Sequence, residues 1–149
     1  MNGPGRRLQQ LAQLSLADWK VLLQSLFLLP ACALSLRLKG FNWTRQLIEK
    51  HRKESLHPTD AHEKRLNEAK RTAYLVSVTA SHGIYRANCL KKALVAQWLL
   101  LRRGISTDLK IGINNDMREF NAHAWLEFKG HILIDSDKTK ERFTAFDSL

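Results

Sequence analysis

The hydrophobic pattern of this chain changes at Gly104, and that change limits the folds open to it. Before Gly104, apolar residues recur at steps of three and four positions, which is typical of helices that pack one face. After Gly104, apolar and polar residues alternate in strand-like runs at 109–113, 120–128 and 131–135. This order, with helices first and strands last, predicts an α+β fold.

Turn-forming residues divide the helical half. A first helix is expected over residues 16–29 and is expected to end at Pro30, with shorter helical stretches over 31–39 and 44–53. Residues 61–80 are expected to form the next helix. The side chains expected to be buried in that helix are Leu66, Ala69, Ala73, Val76 and Tyr74.

Length and composition indicate one ordinary globular domain. The chain has 149 residues and is 44% hydrophobic, which is enough to bury a core. Its two cysteines have no ligand spacing, so neither a disulfide framework nor a metal site is expected. The first apolar run is shorter than the ~20 residues that cross a bilayer, and it lacks the pattern of a secretory signal. A cytoplasmic protein is therefore expected.

The formal net charge of +10 predicts an acidic partner. That partner could be a peptide, a protein, nucleic acid or an anionic membrane. Nucleic acid is not expected, because the sequence has no zinc-finger ligands, no RNP-like aromatic motif and no clear helix-turn-helix pattern. Contact of the basic, apolar N-terminal region with a membrane surface stays open as a minor alternative.

A cysteine stands at the expected start of the helix that precedes Gly104. Asn88 is a favoured N-cap, so Cys89 is expected at the first helical position. The unpaired amides and the positive end of the helix dipole favour a thiolate there, and the same amides can help to stabilise an oxyanion. Cys89 is therefore a candidate nucleophile, although a cysteine at a helix start is, taken alone, more often structural.

A histidine and an aspartate lie on the two strands that follow, and the turn between the strands sets their register. A two-residue turn at Lys129-Gly130 places His123 and Asp135 on opposite faces, whereas a three-residue loop over 128–130 places them opposite each other. The second register pairs apolar residues with apolar residues, so we expect it. It predicts a triad in which His123 is the base for Cys89 and Asp135 orients the base.

Several blocks of sequence around these residues share a pattern with known proteins. They are Tyr85-Arg86-Ala87-Asn88-Cys89-Leu90, residues 100–105, residues 111–113, Ala122-His123-Ala124-Trp125-Leu126-Glu127 and Ile134-Asp135. Together they closely resemble the leader peptidases of lasso-peptide biosynthesis, which are bacterial cysteine peptidases of the transglutaminase-like superfamily. The resemblance implies a single domain, 1–149, with a helical N-terminal region over 1–58 and a transglutaminase-like catalytic core over 59–149.

The resemblance also implies an activity and its partners. The expected reaction is hydrolysis of a ribosomally made precursor peptide between leader and core by Cys89, His123 and Asp135, without cofactor or metal. The expected partners are the precursor, a separate leader-binding recognition protein and an asparagine-synthetase-like cyclase. The nonpolar N-terminal helices are the expected docking surface for the recognition protein. The residues expected around the substrate are Arg86, Asn88, Asn121 and Trp125.

Two other interpretations stay open. A transglutaminase-like acyltransferase would use the same triad to pass the acyl group to an amine, so only product analysis separates it from a peptidase. A basic, non-catalytic binding protein would keep its function after Cys89→Ala and lose it after charge reversal.

Overall fold

In the computed structural model, helices pack beside a small antiparallel sheet, which confirms the α+β class. The structure describes residues 14–51, 62–83, 86–114, 122–134 and 143–145. These residues form helices α1 (Leu16–Lys50), α2 (His62–His82) and α3 (Cys89–Leu101), and strands β1 (Asp108–Asn114), β2 (Ala122–Phe128), β3 (His131–Ile132) and β4 (Phe143–Ala145).

Helix α1 is longer than the sequence predicts. It spans 35 residues and continues through Pro30, so the expected end at Pro30 is wrong. Leu29 and Cys32, on either side of the proline, both pack in the core, and this burial offsets the hydrogen bond that a proline removes. The helix instead changes direction at Gly40, whose φ of 81° and ψ of 177° are open essentially to glycine alone.

The two arms of α1 are joined across Gly40 by hydroxyl groups. Thr44 Oγ1 donates to the Gly40 carbonyl oxygen at 2.8 Å and shares a second hydrogen bond with Ser35 Oγ at 2.7 Å. Thr44 is buried, so both bonds lie away from solvent. They hold the shorter arm against the longer one, where both contribute to the core.

The start of α1 is fixed to α2 by a charged group. Ser15 and Asp18 form a capping box, in which each side chain accepts a hydrogen bond from the other residue's amide. The same carboxylate receives two hydrogen bonds, both 3.2 Å long, from the Arg71 guanidinium of α2. These bonds, with Arg71 the largest cause, lower the pKa of Asp18 below its ordinary value.

Helix α2 packs through small side chains. Ala69, Ala73 and Val76 are buried, as expected. Leu66 is only half-buried, although it packs against the core. Tyr74 is 58% exposed, so its expected burial is wrong. The adjoining positions already face inward and consecutive helical residues point about 100° apart, so its phenol turns towards water.

The sheet has the strand order β3-β2-β1-β4, with antiparallel neighbours. Strand β4 was not expected from the sequence, because its three residues are too few to show an alternating pattern. It pairs with the end of β1, where Gly112 lies opposite Ala145. One face of the sheet packs on the helices through Leu109, Leu126 and Phe128.

The hairpin from β2 to β3 has a two-residue turn, so the expected three-residue loop is wrong. Phe128 pairs with His131 across the turn. Lys129 and Gly130 have φ values of 47° and 83°, and two successive positive values are characteristic of the type I′ turn. The twist of that turn matches the twist of the strands it joins, which favours the shorter connection.

The apolar pairs could not reveal this register, because both faces are buried after β3. Ile132, Leu133 and Ile134 are consecutive and all buried. Alternation therefore stops, and the Leu133 amide bonds to the Leu126 carbonyl oxygen at 2.9 Å. The expected register would have placed Asp135 opposite His123, and the hairpin forms the other register.

The ion pair between α1 and α2 gives a test of this packing. We expect Arg71→Ala to lower the free energy of unfolding by about 0.5–1 kcal/mol near neutral pH, because Arg71 is half exposed and solvent screens the pair. Since the folded state lowers the pKa of Asp18, the pair stabilises above the ordinary value of 3.8, and this contribution disappears as the pH falls through the lowered value.

Urea unfolding at several pH values measures the difference between the variant and the wild type. Lys70→Ala, one position away and also exposed, is the control and should change little. A difference between Arg71→Ala and wild type that grows in acid would contradict the assigned pair.

Candidate active site

Cys89 is the first residue of α3, which confirms the predicted start of this helix. Asn88 is the N-cap, and its side-chain oxygen accepts from the Lys91 amide at 3.2 Å. Cys89 is a free, half-buried cysteine. The thiol therefore lies among the amides of a capped first turn, at a position that solvent can reach.

Backbone bonds hold the segment in front of Cys89 against the end of α2. The Gly83 amide donates to the Thr79 carbonyl oxygen at 2.7 Å, and the Ala87 amide donates to the Ala80 carbonyl oxygen at 3.3 Å. A Cβ atom at Gly83 would collide with the same Thr79 oxygen, so the chain turns here only because Gly83 lacks a side chain. The end of α2 thus sets where α3 begins.

His123 lies on β2, opposite Gly112 of β1. Its ring is nearly parallel to the Trp125 indole, with centroids 6.2 Å apart and planes at 19°. Trp125 is 1% exposed, and its indole N–H donates to Glu127 Oε1 at 2.9 Å. Alternate residues of β2 therefore form a row that supports the imidazole.

The direction of the elements relates Cys89 to His123. Gln97, late in α3, donates to the Thr107 carbonyl oxygen just before β1 at 3.2 Å, and Leu109 also packs against α3. Strand β1 therefore returns along α3, and β2, antiparallel to β1, runs in the direction of α3. Cys89 and His123, each near the start of its element, lie towards the same end of the helix and sheet.

The face of β2 that carries His123 is not the face that packs on α3. Leu126 and Phe128 point from β2 into the core with α3, whereas His123 and its row lie on the other face. Contact between the Cys89 thiol and the imidazole therefore has to be made around the end of the sheet.

The other expected site residues have different surroundings. Arg86 and Asn88 are exposed beside Cys89, and the Asn88 side-chain oxygen is engaged as the helix cap. Trp125 is buried beside His123. Asn121 and Asp135 lie outside the residues that the structure describes. Within the described ranges no cluster of three or more His, Cys, Asp or Glu side chains is arranged to hold a metal ion.

Glu127 is the one described member of the site that sequence reasoning did not assign. No role in the site was expected for its carboxylate, whereas the structure bonds it to the indole of Trp125. The spacing of His123, Trp125 and Glu127 at every second residue of a strand was the signal that could have shown it.

The second cysteine has a different environment. Cys32 lines an apolar cavity of about 210 Å³ between α1 and α3, together with Leu28, Ile48 and Trp98. Burial raises the pKa of the Cys32 thiol to about 11, and nearby Lys91 offsets only part of this rise. At neutral pH Cys32 is therefore a protonated thiol and a poor nucleophile.

Alkylation should separate the two cysteines. With iodoacetamide near neutral pH, we expect peptide mapping by mass spectrometry to find the label on Cys89 and not on Cys32. The physical reason is that Cys32 must ionise against its burial, so its labelling should rise only as the pH approaches 11. Cys89→Ala is the control and should take up no label while folded; labelling of Cys32 at the rate of Cys89 would contradict the assignment.

The sequence that forms this site matches a known protein family. The sequence model of a family described as the transglutaminase-like superfamily matches residues 28–147. The match begins within α1 and extends beyond β4, so it includes both Cys89 and His123. It also spans both sides of the expected boundary between residues 58 and 59. Searches of curated proteins and of solved structures give no significant match.

Proposed function

Since the chain belongs to the transglutaminase-like superfamily, which includes cysteine peptidases and acyltransferases, we propose that it is a cysteine peptidase that removes the leader from a lasso-peptide precursor. The observation that carries the proposal is the placement of Cys89, a half-buried free thiol at the first position of a capped helix. The sequence blocks around Cys89 and His123 support the narrower choice of substrate.

The proposed mechanism is acyl transfer from the peptide to water. His123 takes the thiol proton of Cys89, and the sulfur attacks the carbonyl carbon at the end of the leader. The resulting oxyanion is held by amides of the first turn of α3. His123 then protonates the amine of the core peptide, which leaves, and the leader stays bound to Cys89 as a thioester. Water, deprotonated by His123, hydrolyses this thioester and frees the leader.

The proposal gives supporting roles to the neighbouring residues. Trp125 and Glu127 act as positioning residues for the imidazole through the stacked rings and the indole hydrogen bond. Asp135 is still the proposed orienting residue for His123. Since the strand ends at Ile132 and the consecutive buried residues after it break the alternation, we propose that the Asp135 carboxyl reaches the imidazole by leaving the strand register.

Arg86 and Asn88 are exposed next to the thiol, so they are proposed to contact the substrate backbone. With Asn121, they are the proposed substrate-binding residues. Trp125 was expected among them, but it is 1% exposed, so we propose that it acts through His123 and not by contact with the substrate.

Partners follow from the same proposal. The substrate is a ribosomally made precursor, and a separate recognition protein holds its leader. The amine freed from the core is the group that an asparagine-synthetase-like cyclase consumes. All of these reactions are proposed to occur in the cytoplasm, without a cofactor in the peptidase itself.

The assay that tests this function combines the full chain with its precursor peptide and recognition protein. We expect wild type to yield free leader and free core by mass spectrometry. Cys89→Ala and His123→Ala should each lower the rate by about a thousandfold or more, because they remove the nucleophile or its base. Cys32→Ala is the matched control and should keep the rate within about twofold, since that thiol is protonated and lies in the apolar cavity.

Other products would lead to other conclusions. Leader recovered as an amide of an added amine, in place of the free acid, would identify an acyltransferase. Intact precursor in the wild-type sample, with recognition protein bound to leader, would contradict the peptidase. Full activity of Cys89→Ala would contradict the nucleophile.

A further inference from the structure

The outward side of the longer arm of α1 carries an unbroken apolar surface. Large apolar side chains recur there at steps of three, four and seven residues, with Phe27 72% exposed and Leu34 57% exposed. The opposite side of the arm is buried against the rest of the domain, at Val21, Ser25 and Leu29. The members of this outer stripe are Leu16, Trp19, Leu23, Phe27, Leu34 and Leu38.

The charges along this arm are arranged around the stripe. Lys20, Arg37 and Lys39 are exposed, and none of them forms an ion pair with another described residue. Lys20 and Arg37 lie about 25 Å apart along the helix axis, at about 1.5 Å per residue. The arm's one acidic residue, Asp18, is held by Arg71 of α2. The stripe therefore has basic ends and no exposed negative charge.

In the middle of the stripe the polar side chains are buried or only partly exposed, at Gln24, Ser25 and Ser35. Every exposed residue between Lys20 and Arg37 is apolar. A protein interface normally includes about one hydrogen bond per 100–200 Å², with polar groups at its rim. Lipid acyl chains require no such groups, and lipid phosphates match the cations at both ends. The surface chemistry therefore fits an anionic bilayer better than it fits a protein.

The packing of α1 decides how it meets the bilayer. By length and composition, α1 is the one described helix that could cross a membrane. Its inner side packs against α2 and α3, however, so only the outer stripe is available to lipid. A helix in this position lies in the plane of the interface, where Trp19 suits the headgroup level and the cations reach the phosphates.

We propose that the outer stripe of α1 binds the surface of an anionic phospholipid membrane. The catalytic residues assigned above are not part of this stripe. Membrane binding would therefore hold the enzyme at the bilayer while the start of α3 stays open to a peptide. The overall charge of +10 adds a long-range attraction to the same surface.

Co-sedimentation of the full chain with vesicles tests the proposal. We expect binding to vesicles of phosphatidylcholine and phosphatidylglycerol in equal parts, and much weaker binding to phosphatidylcholine alone. The double variant Phe27→Ser with Leu34→Ser should bind the anionic vesicles at least about tenfold more weakly than wild type, because it removes two apolar side chains from the interface. Tyr74→Ser, an equally exposed position on α2, is the matched control and should bind like wild type.

The charges give a second arm of the experiment. Lys20→Gln with Arg37→Gln should weaken binding to anionic vesicles several-fold at low salt and should have little effect at high salt. Circular dichroism checks that each variant is folded, which is expected because all four positions are exposed. Cys89→Ala lacks the proposed nucleophile and lies outside the stripe, so it should bind vesicles like wild type, and a failure of membrane binding is distinguishable from a failure of the peptidase.

Three outcomes would overturn the proposal. One is a wild-type protein that binds neither kind of vesicle. Another is equal vesicle binding by wild type and the Phe27→Ser, Leu34→Ser variant. The third is evidence that the stripe binds a protein. In that case the Phe27→Ser, Leu34→Ser variant would no longer form a dimer or bind the recognition protein, and wild type would not bind vesicles.

Discussion

The burial of α3 on several sides is the constraint on which the rest of the structure depends. Helix α3 contacts α1, α2 and the sheet, and nearly all of its side chains from Ala93 to Leu101 are buried. Each fully buried Leu stabilises the fold by about 1.5–3 kcal/mol, so this helix cannot shift without a large cost. Apart from Trp98, which is partly exposed, only its first turn reaches solvent. Cys89 is therefore held at the end of a rigid element, as a nucleophile requires.

The features that the sequence predicted well depend on neighbouring residues. Asn88 caps α3 through its own side chain, so the start of that helix at Cys89 could be found from a few positions. The features that it predicted badly depend on distant contacts. Pro30 stays inside α1 because core packing on both sides outweighs its local cost, and no local pattern reports that packing.

The site shows the same division. Cys89 and His123 were identified by residue type and by their elements, and the same-face spacing of Glu127 contained a signal that was not used. The position of Asp135 depends on the chain after β3. Consecutive residues are buried there, so apolar and polar residues no longer alternate and the strand register cannot be inferred from the sequence. The short turn at Lys129 and Gly130 then shifts every pair in the hairpin by comparison with the expected loop.

Capture of the acyl-enzyme tests the central claim most directly, because it reports the atom that attacks the peptide. The protein is mixed with precursor and recognition protein, quenched rapidly in acid, and measured intact by mass spectrometry and then by peptide mapping. The account predicts a thioester whose added mass equals the leader portion, located on Cys89. An adduct on Cys32 would contradict the account. So would cleavage that gives no adduct in rapidly quenched samples and persists in the Cys89→Ala variant.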